Sequence, residues 1–511
     1  MLRRLVALRL PAIAAAPLCR PASTTTTMAA TPPPPTTVVA VAVVGAGVVG
    51  RELLEQLAER RAHFLERLRL DLRVVAVANS RWAVLLDTDL AASRGGPSSL
   101  VGCGGDGEDA GWRAALARPR PADDGEGDGD GAAASADVPP GARLVTAAGA
   151  LPGLGAHVAR SALAAHPHPL PYCARVPVVV DATASDAVAA RYSEWAGAGA
   201  HVVAANKRMG SGPLARLDAL LERAASDPPP PPAAAAPAAA APLLLPRVRR
   251  FMGEATVGAG LPVLSTLRAL VETGDDVLSI EGVVSGTLSF IFSSFGAAEG
   301  GEEGGAAAPL RPFSAVVAEA REKGYTEPDP RDDLSGQDVA RKTVILAREA
   351  GLRLELEDVR PPDDDDDDER GGGGATTGAP PPPPPPPLLL VPPALSQESG
   401  ASVAQFMAGL PGALDARMAE RAASAAARGR VLRYAARVDV AAGRASAGVG
   451  EYGRAHPFAS LRGTENVVRF VTRRYPGGLV VRGPGAGAAV TAAGLLGDIL
   501  ALARGGGCVP N

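Results

Sequence analysis

The sequence has 511 residues and a formal net charge of −4, a balance that does not indicate a nucleic-acid-binding protein. Glycine (60 residues) and proline (48 residues) make up about one residue in five, against about one in eight on average, so part of the chain is expected outside any core. The four cysteines have no metal-ligand spacing and are too few for a disulfide scaffold of this length. We find no apolar run of about 18 residues, so no membrane-spanning helix is predicted.

Residues 1–36 and four internal stretches are predicted to lie outside the folded cores. Residues 1–36 contain arginine, serine and threonine but no acidic residue, a composition typical of a chloroplast or other plastid transit peptide. A disordered tail is the alternative, and translation from Met28 would remove the leader and leave a cytoplasmic protein. The four stretches are rich in Gly, Pro, Ala or acidic residues and are expected to be surface loops: residues 93–141, 226–242, 296–309 and 357–394.

Residues 37–250 alternate between strand-like and helix-like patterns. This alternation predicts an α/β fold with a Rossmann-type, doubly wound parallel sheet. A single amphipathic helix is expected after the first strand, with Leu65 or Leu68 on its apolar side, and another near residues 185–198. The strands are expected at Val38–Val44, Val74–Ala78, Val176–Asp181 and His201–Ala205.

A glycine-rich motif, Gly45-Ala46-Gly47-Val48-Val49-Gly50, closes the first strand and opens a helix, which is the context of a dinucleotide-binding site. Gly45 permits the tight turn, Gly47 lets the backbone approach a pyrophosphate, and Gly50 lets helix and strand pack closely. The helix N-terminus offers unpaired N–H groups to the phosphates. A fortuitous glycine turn is the alternative.

The second strand ends in Ala78-Asn79-Ser80-Arg81, without the acidic residue that binds the ribose of NAD. Arg81 favours a 2′-phosphate, so NADP is the preferred cofactor and NAD remains possible. Arg81 could also be only a solvated loop charge. If residues 93–141 disturbed this loop, the preference for NADP would no longer follow from the sequence.

Lysine is rare: only three of the 51 basic residues are lysines, namely Lys207, Lys323 and Lys342. Arginine keeps its proton, whereas lysine can shift its pKa and donate one. A lysine in a chain whose basic residues are almost all arginine is therefore a candidate for proton transfer. The alternative is that these three positions are lysine by chance. Asn206-Lys207 follows a predicted strand, and Asp181-Ala182-Thr183 ends another, so both are expected in the crevice where such sheets bind ligands. Thr183 could also cap the next helix.

Residues 251–484 show a different pattern, which predicts a second, α+β domain, and residues 485–511 predict a helix that returns to the first domain. Within the second domain, the segment Gly324–Lys342 places four acidic residues on a loop that contains two prolines. Asp338 and Lys342 follow on one helix face, four residues apart. A carboxylate beside a lysine can hold a substrate ammonium group while the lysine gives a proton to a nearby oxygen. A structural ion pair is the alternative.

Taken together, these residues resemble homoserine dehydrogenase. The resemblance rests on motifs that occur in the family's order: Gly45–Gly50, Asn206-Lys207, Gly253–Pro262, Ser285–Ser289, Gly324–Lys342 and Gly485–Val490. It implies reversible, NAD(P)-dependent interconversion of L-aspartate 4-semialdehyde and L-homoserine, a step in threonine, methionine and isoleucine biosynthesis.

The resemblance also implies roles for individual residues. Lys342 is the proton donor and acceptor, and Lys207 lies between nicotinamide and substrate. The substrate is bound by Glu327, Asp338, Thr287 and Tyr325, and the cofactor is contacted by Thr183 and Gly487. A sodium ion is held by Glu254, Val257, Ala259 and Leu261, three of them through backbone carbonyls.

The resemblance further implies a homodimer formed through the second domain. The aspartate kinase and regulatory domains of some family members are not recognisable, so we expect a monofunctional enzyme. Two alternatives stay open: another Rossmann-type amino-acid dehydrogenase, and a non-catalytic NADP-binding sensor. A semialdehyde dehydrogenase that forms an acyl intermediate needs a nucleophilic cysteine, and neither Cys103 nor Cys173 is suitably placed.

Overall fold

The computed structural model describes residues 36–86, 100, 113, 115–117, 142–164, 175–225, 250–295, 310–362 and 390–505. The expected leader up to residue 35, all four cysteines and most of the four stretches expected as loops lie outside the described residues.

The first sheet has seven described strands in the order β4-β3-β2-β1-β5-β6-β7. Strand β1 pairs in parallel with β2 and β5, and the parallel arrangement continues through β6 to β7. The strands are β1 (Thr37–Val44), β2 (Leu70–Ala78), β3 (Trp82–Leu86), β4 (Ala142–Thr146), β5 (Arg175–Asp181), β6 (His201–Ala204) and β7 (Phe251–Met252). The helices between them are α1 (Val48–Glu59), α2 (Arg61–Leu68), α3 (Ala147–Ala150), α4 (Leu154–Ala164), α5 (Asp186–Ala189), α6 (Tyr192–Gly197) and α7 (Leu214–Ala225).

The central strands are nearly continuous apolar runs because both of their faces are covered. Strand β5 is buried along its whole length, and β1 is buried except at its first residue. This is the pattern of parallel strands with helices packed on the sheet. The predicted Rossmann-type sheet is confirmed, and the antiparallel strands β3 and β4 extend it at one edge.

Two predicted helices are each divided in the structure. The helix after β1 breaks at Arg60, and the second piece buries Phe64, while Leu65 is exposed. The helix expected near residues 185–198 is formed by α5 and α6. Of the two leucines predicted as alternatives for the apolar side of the first helix, Leu68 packs against the core and Leu65 does not, because the break at Arg60 rotates the buried face.

The second sheet has six described strands in the order β13-β12-β8-β10-β11-β9 and is antiparallel except for the β9–β11 pair. Its strands are β8 (Val277–Val283), β9 (Val359–Arg360), β10 (Arg430–Asp439), β11 (Arg444–Gly453), β12 (Glu465–Thr472) and β13 (Leu479–Pro484). The helices are α8 (Val263–Glu272), α9 (Gly286–Phe295), α10 (Phe313–Glu322), α11 (Pro330–Leu334), α12 (Gln337–Glu349), α13 (Val403–Leu410) and α14 (Ala416–Ala427). A π-helical segment, Pro411–Asp415, joins α13 to α14, and short 3-10 turns lie at Glu254–Thr256, Leu356–Asp358, Pro393–Leu395 and Pro457–Ser460. The second, α+β region is confirmed as a fold class.

The last described helix, α15 (Ala488–Gly505), packs into the core of the first sheet through Leu495, Ile499 and Leu502. It has 18 residues and is apolar enough to span a membrane by length and composition alone. The prediction that no such stretch exists was therefore wrong. The many glycines and alanines of this helix do not read as an apolar run, although they contain little polar surface. Its buried face is that of a helix within a protein core.

Parts of two stretches expected as surface loops are buried. Leu100 and Leu116 belong to the core of the first sheet, and Leu390 belongs to the core of the second. The backbone N–H of Leu100 donates to the Val74 carbonyl at 2.7 Å. Residues 93–141 are rich in Gly, Asp and Ala, but these isolated leucines are still buried beside β2 and the loop that follows it.

Candidate functional site

The glycine motif and the end of β5 meet at the point where the chain crosses between the two halves of the first sheet. Strand β1 lies between β2 and β5, so the carboxyl ends of β1 and β5 border a crevice. Gly45 has a φ of +99°, and a β-carbon there would lie 2.7 Å from Cγ2 of Thr183. The close approach of these two strand ends therefore requires a glycine.

The other two motif glycines have different surroundings. A β-carbon on Gly50 would lie 2.0 Å from the Gly45 carbonyl oxygen, so Gly50 closes the packing of helix on strand. A β-carbon on Gly47 would meet no described atom within 4 Å. The neighbouring Val48 is 77% exposed, whereas Ala46 and Val49 pack against the core. The N-terminus of α1 is thus open at Gly47, as a phosphate site requires.

The loop after β2 is held by Asn79, whose Oδ1 accepts hydrogen bonds from the backbone N–H groups of Arg81 and Trp82 at 2.8 Å. The Asn79 amide donates to the carbonyl of Leu116 at 2.9 Å. Arg81 itself is exposed. The stretch 93–141 therefore does contact the loop on which the predicted NADP preference rests.

Three polar side chains meet at the ends of β5 and β6. Asp181 is fully buried and accepts hydrogen bonds from the Tyr192 hydroxyl at 2.6 Å and the Asn206 amide at 2.8 Å. It also accepts from the Thr183 backbone N–H at 2.7 Å. Burial, and then the charge of Asp181, raise the pKa of Tyr192 well above its ordinary value. Thr183 is not the helix cap, because Ser185 caps α5.

Asp338 lies between two lysines. Its Oδ2 is 2.7 Å from Nζ of Lys342 and its Oδ1 is 3.1 Å from Nζ of Lys207. Lys342 is 8% exposed and donates to the Val284 carbonyl at 2.6 Å. Asp338 is half-buried. The expected i,i+4 contact is present, and a lysine from the first sheet joins it, so two of the three lysines meet at one carboxylate.

The third lysine is different. Lys323 lies on the surface, forms an i,i+4 ion pair with Glu319, and has its Nζ 5.1 Å from the centre of the Phe290 ring. Its hydrogen bond with Glu319 raises its pKa. This is the ordinary environment of a surface lysine.

The pKa values of Lys342 and Asp338 are both lowered, for different physical reasons. Burial lowers the pKa of Lys342, and the nearby Lys207 charge lowers it too, although Asp338 acts in the other direction. Burial alone would raise the pKa of Asp338, but the Lys342 and Lys207 charges hold it well below its usual range. A lysine whose pKa is lowered, beside a carboxylate that stays ionised, is suited to proton transfer.

Helix α12 positions the cluster. Gly336 caps its N-terminus with a φ of +70°, and Asp338 and Lys342 follow within its first two turns. Further along, the Arg348 guanidinium donates to the carbonyls of Gly210 and Gly212 at 2.9 and 2.7 Å. The helix that carries Asp338 is therefore tied directly to the turn that follows Lys207.

The predicted substrate residues form a second group of contacts. The Thr287 hydroxyl donates to the Tyr325 carbonyl at 2.6 Å, and the Tyr325 ring packs edge-on against Phe290. The backbone N–H of Glu327 donates to Oδ2 of Asp333 at 2.8 Å, and the Glu327 side chain is exposed. Burial raises the pKa of Asp333.

Not every acid of the Gly324–Lys342 segment is free for a ligand. Asp329 caps α11 and accepts three hydrogen bonds from the Arg331 guanidinium, which lower its pKa to about 2. Gln397 donates to both Asp329 and Asp332. These acids hold the loop in place, whereas Glu327 remains available at the surface.

The predicted sodium residues lie on a tight loop between the first sheet and α8. Both carboxylate oxygens of Glu254 accept hydrogen bonds from the backbone at the start of α8, from Leu264 at 2.8 Å and Ser265 at 2.7 Å. Val257 is buried, and Leu261 is partly buried. Ala259 has a φ of +56°, the left-handed region that non-glycine residues rarely adopt.

Helix α15 closes over this loop. A β-carbon at Gly260 would lie 2.2 Å from the Val490 carbonyl, and the Glu254 N–H donates to Asp498 at 2.9 Å. Burial raises the pKa of Asp498 to about 7. Gly487, which has a φ of +119°, precedes the helix, and the Gln56 amide of α1 donates to the nearby Ala489 carbonyl at 3.0 Å. The start of α15 thus lies beside the helix of the glycine motif.

Comparison with known proteins identifies the family. The sequence model of homoserine dehydrogenase matches residues 262–500. Homoserine dehydrogenase of Saccharomyces cerevisiae is 33% identical over 464 residues, covering 91% of this chain and 98% of the yeast protein. The chain belongs to the homoserine dehydrogenase family.

The family's NAD-binding domain model matches residues 149–227, so the first sheet belongs to an NAD(P)-binding domain. A bifunctional aspartokinase/homoserine dehydrogenase of Zea mays, described as chloroplastic, is 37% identical over 470 residues. This chain spans 38% of the length of that plant relative.

Solved structures share the fold. A crystal structure of a Candida auris protein described as of unknown function has a TM-score of 0.64 and 30% identity, covering 92% of this chain and 99% of that one. A putative homoserine dehydrogenase from Archaeoglobus fulgidus has a TM-score of 0.53 at 21% identity, covering 91% of this chain and 99% of that one.

Sequence reasoning missed three contributors to the site of this family member. They are the Val284 carbonyl, the Arg348 guanidinium and the Tyr192 hydroxyl, whose partners lie 58, 138 and 11 residues away in the sequence. A backbone carbonyl has no sequence signature, and Arg348 is one of many arginines. Only Tyr192 offers a signal, because a tyrosine just after a strand that ends in aspartate can bond back to it.

Proposed function

We propose that this chain is a homoserine dehydrogenase that reversibly reduces L-aspartate 4-semialdehyde to L-homoserine in threonine, methionine and isoleucine biosynthesis. The observation that carries the proposal is the buried Lys342 held beside Asp338 in a member of this family. A bound nicotinamide nucleotide supplies or accepts the hydride. The protein must then orient the aldehyde and deliver a proton to its oxygen.

Lys342 is the proton donor and acceptor in this proposal. In the reductive direction the aldehyde carbon gains the hydride, and the oxygen takes a proton from the Lys342 ammonium, which becomes an amine. The positive charge also stabilises the oxygen as negative charge develops on it. The lowered pKa of Lys342 supports this role because both of its forms are then accessible. Arginine could supply the charge but could not give up the proton.

The substrate ammonium group is bound by Asp338 and Glu327. Asp338 stays ionised because two lysines lower its pKa, and Glu327 presents an exposed carboxylate. Thr287 and Tyr325 shape the loop that carries Glu327, and their backbone contact supports a role in positioning it. Lys207 adds a second cation that can bind the substrate carboxylate or an oxygen of the cofactor.

NADP is the proposed cofactor, with NAD as the alternative. The open N-terminus of α1 at Gly47 and the neighbouring Ala46, Val48 and Val49 support binding of the pyrophosphate there. Thr183, which lies against Gly45, and Gly487, which precedes the helix packed beside α1, are proposed to contact the cofactor. The exposed Arg81 and the absence of an acid after β2 support a 2′-phosphate.

A sodium ion is proposed on the loop formed by Glu254, Val257, Ala259 and Leu261. Among the described residues, no group of three or more His, Cys, Asp or Glu side chains could hold a metal ion. Backbone carbonyls together with one carboxylate suit a hard monovalent cation better than a transition metal. Thermal unfolding measured in sodium chloride and in choline chloride at equal ionic strength tests the site. Sodium is expected to raise the melting temperature, and equal values would refute the site.

We also propose a domain organisation, an oligomeric state and a cellular location. Residues 37–250 form the nucleotide-binding domain, residues 251–484 form the substrate and dimerisation domain, and residues 485–511 return to the first. The protein is a homodimer, which light scattering would test.

Residues 1–36 direct it to a plastid, as the acid-free leader and the chloroplastic plant relative suggest. A fluorescent fusion that stays in the cytoplasm would refute this.

The deciding experiment is an initial-rate assay of the full chain with L-homoserine and either NADP or NAD. Reduction of NADP with homoserine, faster than that of NAD, is expected. Activity on a different amino acid would favour another Rossmann-type dehydrogenase. Tight NADPH binding without turnover of homoserine or aspartate semialdehyde would favour the sensor.

A further inference from the structure

A buried carboxylate lies directly behind the turn that carries Lys207. Asp181 has no exposed surface, and its two oxygens accept hydrogen bonds from Thr183, Tyr192 and Asn206 at 2.6–2.8 Å. Burying a carboxylate is unfavourable unless such donors satisfy it. An arrangement of this kind fixes the direction of each donor group.

Asn206 connects the buried Asp181 to the backbone around Lys207. Its amide also donates to the Ser185 carbonyl at 2.9 Å, and its Oδ1 accepts the backbone N–H of Arg208 at 3.0 Å. The bond to Arg208 spans Lys207. The Lys207 carbonyl is held as well, because the N–H and the hydroxyl of Ser211 both donate to it at 2.9 Å.

We infer that Asp181 and Asn206 are positioning residues that hold the backbone of Lys207 so that its ammonium group reaches Asp338. The same carboxylate holds the N–H of Thr183, so one buried charge orders both sides of the crevice. The inference deepens the proposed function and rests on it for its catalytic meaning. The positioning itself is a structural claim that can be tested without turnover.

The test uses carbodiimide, which joins adjacent carboxylates and lysines without a spacer. Activated Asp338 can react with either Lys207 or Lys342, and mass spectrometry of the digested protein gives the ratio of the two links. Because one activated carboxyl serves both lysines, the ratio does not depend on how readily Asp338 is activated. The link to Lys342, four residues along the same helix, is therefore an internal reference.

In Asn206→Ala the ratio of the Lys207 link to the Lys342 link is expected to fall about fivefold, the effect of losing about one net hydrogen bond. Tyr192→Phe removes one donor to Asp181 without removing Asn206, so a smaller fall is expected. Asn79→Ala is the matched control, because Asn79 holds the corresponding turn after β2 and does not contact Lys207. Its ratio should equal that of the wild type.

An unchanged ratio in folded Asn206→Ala would overturn the inference. If Asn206→Ala does not fold, Tyr192→Phe decides the matter, and a wild-type ratio in that variant would overturn the inference. Equal falls in Asn79→Ala and Asn206→Ala would also overturn it, because they would indicate general loosening.

Kinetics add a second readout. Asn206→Ala and Lys207→Met should each lower kcat for homoserine oxidation, and the double variant should be little worse than Lys207→Met alone. Additive losses would contradict a shared route through Lys207. A wild-type protein that gives the expected cross-links but does not oxidise homoserine would refute the proposed function and leave the positioning intact.

Discussion

Gly336 and Tyr434 approach each other so closely that a β-carbon at position 336 would lie 1.8 Å from the tyrosine hydroxyl oxygen. Gly336 also has a left-handed φ of +70° and caps the helix that carries Asp338 and Lys342. Burial raises the pKa of Tyr434 to about 12, so its hydroxyl stays neutral. The start of the helix that carries Asp338 and Lys342 is therefore fixed by a contact that only glycine allows.

Gly336→Ala is expected to destabilise the protein by at least about 2 kcal/mol, because it adds a steric clash to backbone strain. Gly351→Ala is the matched control: Gly351 has a φ of +94° just after the same helix, but a β-carbon there meets no described atom within 4 Å. Combining Gly336→Ala with Tyr434→Phe should recover part of the loss in melting temperature. No recovery would indicate that strain alone accounts for it.

Lys342→Arg is expected to lower kcat about a hundredfold or more while NADPH binding is retained, because arginine keeps the charge but not the transferable proton. Lys323→Arg is the control, since Lys323 lies on the surface beside Glu319. Its kcat should match that of the wild type. A near-normal kcat for Lys342→Arg would remove Lys342 from the proposed mechanism.

The pH dependence of homoserine oxidation should report the titration of Lys342. Oxidation requires the amine form, so the rate should rise with pH and reach half its maximum below the ordinary lysine pKa of 10.5. Asp338 raises the pKa of Lys342 and Lys207 lowers it. Asp338→Asn should therefore move the midpoint to lower pH, and Lys207→Gln should move it to higher pH. Shifts in the same direction would contradict this arrangement of charges.

Two motif glycines should separate cofactor binding from folding. Gly47→Ala adds a methyl group where the described protein has open space, so the melting temperature without ligand should be unchanged while NADPH binds more weakly. Gly50→Ala places a β-carbon 2.0 Å from the Gly45 carbonyl, so the melting temperature itself should fall. The comparison needs thermal unfolding and fluorescence titration with NADPH. Unchanged NADPH affinity in Gly47→Ala would move the phosphate site elsewhere.

Much of the first sheet is predictable because its central strands are valine-rich and buried on both faces. Strands β3 and β4 were not predicted, since they are five residues each and more than fifty residues separate them in the sequence. The last helix was predicted, and its apolar side chains lie in the core of the first sheet, but its length as an apolar stretch was underestimated. Local patterns predict elements whose burial is continuous and fail where distant segments supply the burial.

Some contacts of the candidate site can likewise be predicted from local sequence, and others cannot. The contact between Asp338 and Lys342 follows from helical spacing, whereas the ion pair between Lys207 and Asp338 depends on how the two sheets pack. The acids of the loop cannot be ranked from the sequence. Asp329 differs from Glu327 only because Arg331 and Gln397 bind it in the folded protein.

The bonds from Arg348 to the carbonyls of Gly210 and Gly212 have a consequence for how this chain tolerates inserted sequence. Through these bonds helix α12, and not a connecting loop, sets the distance between Lys207 and Asp338. The distance between Lys207 and Asp338 therefore does not depend on the lengths of residues 226–242 and 357–394, which the sequence predicts to be surface loops.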